Sequence, residues 1–295
     1  MYLVNRIEET TVKYHDARQV IGRFIMTEQG NLHNYTIDEI ADKTYTSKAT
    51  VTRYAKLLGY SGWREFIREY MLEMNYLDTH KNLVDVNQPF KAGDSDDAIG
   101  DQLQALITEC IADTKEHLDY GLLRMAVRYL EQADRIVIFG LSPNLYLGEL
   151  FARKLRTIGK TAMVVNPSEF GITSYTMSKN DCAVIISYSG SYSSHSPCVV
   201  LPRLREQKVP VIGITGGGDS YLRQNTSCIL RISSREKLYS KIANFATEES
   251  ISYLLNLLFS CLFEREYDKN YSFKVDGAKL LEQDRTAVLD EMKEK

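Results

Sequence analysis

Apolar residues recur at helical spacing through the first 80 positions. From residue 135 onward they gather instead into short runs separated by amphipathic stretches. In the first region Val20, Ile21, Phe24 and Ile25 mark one helix face, and Phe66, Ile67, Tyr70, Met71 and Met74 mark another along a helix over 63–77, each at steps of three and four. Between them a short helix over 37–43 carries Ile37, Ile40 and Ala41 on one side. Thr44, Tyr45 and Thr46 break its period, Ser47 is placed to cap a second helix over 48–58, and Gly59 stops that helix. In the second helix Val51, Leu58 and one of Tyr54 and Ala55 turn inward. The two together predict a helix-turn-helix.

The stretch over 81–97 loses periodicity and collects Pro89, Gly93 and four aspartates, which reads as a linker between a domain over 1–80 and one over 98–295. Helices over 98–118 and 122–130 follow. Five β-rich runs come next, over 136–139, 162–165, 183–186, 211–214 and 229–232, with helical segments over 146–158 and 199–207 between them. That alternation predicts a parallel α/β sheet covered on both faces. Pro202 falls inside the second of these helices and should kink it or delay its start. The segment over 242–267 is apolar on most sides, as expected of a helix packed in a core or against a second subunit.

Charge sharpens the picture at the helix-turn-helix. Between Asp42 and Glu65 the chain carries Lys43, Lys48, Arg53, Lys56 and Arg64 and no carboxylate, although the first 80 residues as a whole hold ten Lys and Arg against eleven Asp and Glu. The positive field is therefore focused on the second helix and its exit, where phosphate is the natural partner. Such a helix lies in a major groove with its N-terminal polar groups at base edges and its cations at the backbone. The candidate DNA contacts are Ser47, Lys48, Thr50, Arg53, Tyr54 and Lys56. A small helical core with an incidentally basic surface is the plainer alternative.

A formal net charge of -3 on 295 residues argues against indiscriminate adhesion to nucleic acid. The five cysteines are odd in number, widely spaced and mostly set in apolar runs, and read as buried thiols of a reducing cytosol. No Cys or His pair has metal-ligand spacing, so neither a metal nor a cofactor is expected. No leader or membrane segment is legible, and a cytoplasmic location is expected.

The third β-run ends in Ser187-Tyr188-Ser189-Gly190-Ser191-Tyr192-Ser193-Ser194, and the first in Gly140-Leu141-Ser142-Pro143-Asn144. Hydroxyls and backbone amides at the carboxyl ends of parallel strands form a plausible anion cradle, because ligand crevices of open α/β sheets lie there. A Ser-rich turn with no ligand remains the alternative. No P-loop and no complete GxGxxG is present, and Gly216-Gly217-Gly218 lacks the remaining spacing.

Both halves resemble one family, the RpiR-type bacterial transcription regulators, which join a helix-turn-helix to a SIS (sugar isomerase) domain of flavodoxin-like topology. Thr36-Ile37-Asp38-Glu39-Ile40-Ala41, Ser47-Lys48-Ala49-Thr50-Val51-Thr52-Arg53 and Leu57-Leu58-Gly59-Tyr60-Ser61-Gly62-Trp63-Arg64-Glu65-Phe66 carry the first match. Phe139-Gly140, Lys154-Leu155, Ile158-Gly159 and Ile186-Ser187-Tyr188-Ser189-Gly190 carry the second. The resemblance implies a non-enzymatic regulator of sugar metabolism that binds palindromic double-stranded operator DNA as a homodimer or homotetramer and senses a phosphorylated sugar. It assigns the effector to Gly140, Ser142, Asn144, Ser187, Ser189, Gly190 and Ser191. The chain departs from the family pattern at Ser142 and Asn144, which replace a glycine and a serine, and at Tyr192, which replaces a threonine.

Two other readings stay open: a phosphosugar isomerase or lyase with a helical extension, and a regulator with a degenerate effector site. Aldose–ketose isomerisation needs a base beside the sugar carbons. His195, Glu236, Glu248 and Glu249 are the residues available for it.

Overall fold

The computed structural model describes residues 3–79, 84–194, 196–216, 220–232, 235–237 and 239–281. Residues 3–79 fold into helices: α1 (Leu3–Lys13), α2 (Ala17–Glu28), α3 (Ile37–Lys43), α4 (Lys48–Leu57) and α5 (Trp63–Thr79). Helix α1 is not anticipated by the sequence reading, because its apolar anchors are few: Leu3 and Ile7, one turn apart, are buried, and Val4 packs beside them. The helix starts are fixed locally. The Asp16 side chain accepts from the Arg18 amide, Thr36 and Glu39 form a reciprocal capping box over α3, and Ser47 caps α4. Ile21, Ile25, Leu32, Ile40, Val51, Phe66 and Tyr70 close a core in which α4 packs on both α3 and α5.

Residues 84–95, within the stretch read as a linker, are docked against the helices Asp96–Glu116 and Phe245–Arg265. Val86 is buried against Leu106, Cys110 and Ala246. The Asn87 side-chain oxygen accepts from the Lys237 amide (2.7 Å), and its carbonyl accepts from the Ile242 amide (2.9 Å). The apolar Val84 and Val86 are the cause, since they gain more by packing than a solvated tether offers. Ser95 then caps α6 (Asp96–Glu116), two residues earlier than expected.

Helix α7 (Tyr120–Gln132) leads into five parallel strands: β1 (Ile136–Gly140), β2 (Ala162–Val164), β3 (Cys182–Ile186), β4 (Val211–Thr215) and β5 (Cys228–Arg231). Their order is β2-β1-β3-β4-β5, the doubly wound arrangement of flavodoxin-like folds. Side chains alternate between two cores. Val184 and Ile186 of β3 face the side covered by α7, α8 (Asn144–Arg156) and α12 (Phe245–Arg265), whereas Ala183 and Ile185 face the side of α9 (Phe170–Tyr175) and α10 (Leu201–Glu206). Burial on both faces explains why the strands read as continuous apolar runs. Pro202 does delay its helix: a 3₁₀ turn over Pro197–Val200 precedes α10, and the proline sits in that helix's first turn, where its missing N–H costs nothing. Helices α11 (Tyr221–Gln224) and α13 (Tyr267–Leu281) complete the α-helices among the described residues.

Candidate nucleic-acid interface and effector crevice

Helix α4 is held from its inner face and left free on its outer one. Val51, Tyr54 and Ala55 are buried, while Ser47, Lys48, Arg53 and Lys56 are exposed and Thr50 is half-buried. At its N-terminus the Ser47 hydroxyl accepts from the Thr50 amide (3.2 Å) and pairs with the Thr50 hydroxyl (2.9 Å), and Arg53 donates to that same hydroxyl (3.0 Å). This chain presets the Arg53 guanidinium along the solvent face rather than leaving it to search rotamers.

Two expectations at this surface need correction. Tyr54 was counted among the DNA contacts, but it is 1% exposed, and its phenol lies 2.5 Å from the Thr10 hydroxyl of α1. It sits one helical turn from Val51 and so shares that residue's core face, where it anchors α4 to α1. The field of α4 is also not wholly uncompensated. Asp38, from the preceding helix, forms an ion pair with Lys48, although both side chains stay more than half exposed. An exposed pair of this kind is worth little and yields readily to a stronger anion.

At the other site, the register pairs Gly140 of β1 with Ile186 of β3, so the turns leaving these adjacent strands emerge side by side. Gly148 lets α8 approach β1 closely, since a Cβ there would stand 2.9 Å from the Ile138 Cγ2. No side chain caps the start of α8, whose positive end lies next to the Gly140, Ser142 and Asn144 turn. In the second turn the Ser187 hydroxyl is buried and accepts from the Gly190 amide (3.2 Å), whereas the exposed Ser189 and Ser191 hydroxyls pair at 2.8 Å. Gly190 has φ +58°, and a Cβ there would fall 2.5 Å from the Ser220 Oγ and 2.9 Å from the Thr215 Oγ1. Only glycine fits. Tyr192 leans on Tyr221 of α11, with ring centroids 4.8 Å apart.

Glu236, one of the four candidate bases, is fully buried and already engaged. Its carboxylate accepts from the Thr247 amide (3.0 Å) and hydroxyl (2.8 Å) and is paired with Lys241 (3.2 Å), so it serves the start of α12. Its carbonyl accepts from the Tyr188 phenol (3.1 Å), tying the Ser187 turn to this segment. Burial, then the neighbouring Glu236 and Glu249 charges, pushes the Glu248 carboxyl above its ordinary range. His195 lies outside the described residues.

A family model for the helix-turn-helix domain of the rpiR family matches residues 1–73, and a SIS-domain model matches residues 129–259. The chain belongs to the RpiR type. A similar relative is an uncharacterized HTH-type transcriptional regulator of Thermotoga maritima, 23% identical over 270 residues that span 90% of this chain and 93% of the relative. In fold this RpiR-type chain is similar to the Vibrio vulnificus NanR protein solved in complex with ManNAc-6P. That match has a TM-score of 0.61 at 21% identity and covers 97% of this chain and 100% of that one. The sugar isomerase domain of an RpiR transcription factor from Sphaerobacter thermophilus matches with a TM-score of 0.54 at 16% identity, over 61% of this chain and 98% of that one.

Proposed function

We propose that this RpiR-type protein is a transcriptional regulator that reads double-stranded operator DNA through α4 and senses a phosphorylated sugar between the Gly140 and Ser187 turns. The observation that carries the first half is the two-sidedness of α4, with Val51, Tyr54 and Ala55 locked inward, Ser47, Lys48, Arg53 and Lys56 offered to solvent and Thr50 half-exposed beside them. Phosphate-neutralising cations beside short polar groups at a helix N-terminus are what a major-groove reader needs. The second half is supported by the convergence of the α8 N-terminus with the Ser189 and Ser191 hydroxyls, and by the phosphosugar in the NanR complex.

The protein works without turnover in this reading; of the four candidate bases, Glu236 is committed to Thr247 and Lys241. It acts as a homodimer or homotetramer on a palindromic site, with half-sites about 34 Å apart or a multiple of that. Effector binding moves the Ser187 turn. The Tyr188 to Glu236 bond and the Asn87 bonds to Lys237 and Ile242 then pass that movement to residues 84–95, which join the two matched domains. Titration of hexose and N-acylhexosamine 6-phosphates against the purified chain, read by melting temperature, tests the sensor: one of them at 100 times its Kd adds about 2.7 kcal/mol of stability. A panel that leaves the melting temperature unchanged while the chain still retards DNA would remove the sensor and keep the reader.

A further inference from the structure

The turn between α3 and α4 holds one residue that its own domain does not account for. Helix α3 closes with the Thr46 amide donating to the Ala41 carbonyl (2.8 Å) and the Tyr45 amide to the Asp42 carbonyl (3.2 Å). This Schellman arrangement places the residue between in the left-handed region, where glycine is the ordinary occupant. Helices α4 and α8 close the same way with Gly59 (φ +86°) and Gly159 (φ +80°), and α10 does so with Lys208 (φ +56°), whose long polar side chain belongs in water. Tyr45 takes up φ +52° with a bulky aromatic side chain, whose Cβ crowds the following carbonyl oxygen. It gains no burial in return. At 96% exposure it is the most exposed of the large apolar and aromatic side chains among the described residues.

A strained and fully solvated tyrosine points outward, to a partner. Tyr45 stands two residues before Ser47, the cap of α4, and its sequence neighbours Lys43, Thr44, Thr46, Ser47 and Lys48 are cationic or hydroxylated. The exposed ones among them, Lys43, Ser47 and Lys48, suit a phosphate backbone better than an apolar protein partner. When the N-terminal residues of a recognition helix stand at base edges, the turn before it lies at the groove wall, beside the sugar-phosphate backbone. We propose that Tyr45 is a DNA-backbone contact in which the ring packs on a deoxyribose and the phenol donates to a phosphate oxygen. This rests on the reading of α4 as the DNA reader.

The test compares the full chain with Tyr45→Gly, Tyr45→Phe and Arg53→Ala. Each is titrated by fluorescence anisotropy against a random-sequence duplex at salt from about 50 to about 200 mM. Tyr45→Gly is expected to weaken binding by about five- to tenfold at every salt, and Tyr45→Phe by about two- to threefold. A neutral contact releases no counterion, so the salt slope of the glycine variant stays that of the unmodified chain, whereas Arg53→Ala lowers the slope by about one. Tyr45→Gly should also melt higher, because it folds without the backbone strain. A glycine variant that binds as tightly as the unmodified chain, while Arg53→Ala loses affinity, overturns the contact and leaves the reader standing. A glycine variant that melts lower overturns the strain on which the proposal is built. Failure of the unmodified chain to bind any duplex removes the reader and the contact together.

Discussion

Replacing Tyr54 with phenylalanine separates anchoring from reading at α4. The phenol lies 2.5 Å from the Thr10 hydroxyl, which also donates to the Ile7 carbonyl at 2.7 Å. Tyr54→Phe thus removes one buried hydrogen bond without orphaning Thr10, and should lower stability by about 1 kcal/mol. The same junction explains Gly22 of α2, where a Cβ would stand 2.7 Å from the Thr11 Cγ2, 2.8 Å from the Tyr54 Oη and 3.2 Å from the Thr10 Oγ1. Gly22→Ala should cost about 1–3 kcal/mol by overpacking. It should cost about 0.5–1 kcal/mol less when Tyr54→Phe has already removed the nearest polar atom, because the two sites share a contact. Urea midpoints of the four proteins measure these terms. DNA affinity of Tyr54→Phe, taken where the protein is fully folded, should equal that of the unmodified chain. A phenylalanine variant with unchanged stability and weakened DNA binding would refute the argument, since it would place the phenol at the DNA after all.

Burial holds the Tyr54 phenol up at about 12, with the Thr10 hydrogen bond acting in the opposite direction. The fold therefore favours the neutral phenol: stability is full below about pH 10 and falls as pH rises toward 12, by a few kcal/mol. Alkaline denaturation should start near pH 10 and be blunted in Tyr54→Phe. Asp181 gives the opposite sign, because the Arg135 guanidinium holds its carboxyl below the usual range, opposed by burial and aided by the Ser178 bonds. Stability from that pair is present above the ordinary carboxylate range and is lost as pH falls through the lowered value, so Asp181→Asn should flatten the acid limb of a stability profile. Gly190→Ala should abolish stabilisation by phosphosugars, because the new Cβ would displace Ser220 and the turn with it, while leaving retardation of DNA intact. Asn87→Ala should preserve both binding activities yet shrink the factor by which a phosphosugar changes DNA affinity, a change that a merely structural Asn87 would not produce.

Much of this is legible in the sequence alone, and what is not has physical causes. The five strands announced themselves because burial on both faces leaves uninterrupted runs such as Cys182–Ile186. The turn positions followed from Ser47 and Gly59, whose capping chemistry is local. Tyr54 was misplaced because it sits at the edge of the inward stripe, and helical spacing alone does not say that Thr10, 44 residues away, waits for its phenol. The docking of residues 84–95 is not legible because Pro89, Gly93 and the aspartates mask Val84 and Val86, which pack with Leu106 and Cys110, and Asn87, which bonds to Lys237, 150 residues downstream. Glu236 looked like any other acid until the start of α12 folded over it. The strain at Tyr45 is likewise invisible in composition, since it is a property of φ.

The most direct measurement is a footprint of the purified chain on the DNA flanking its own gene, with and without the phosphosugar that most raises its melting temperature. Protection of a palindrome with half-sites about 34 Å apart or a multiple of that, changed in extent by the sugar and lost in Arg53→Ala, is the predicted result. Absence of protection at every concentration at which the protein is folded, or protection that Arg53→Ala and the sugar both leave unaltered, would contradict the account.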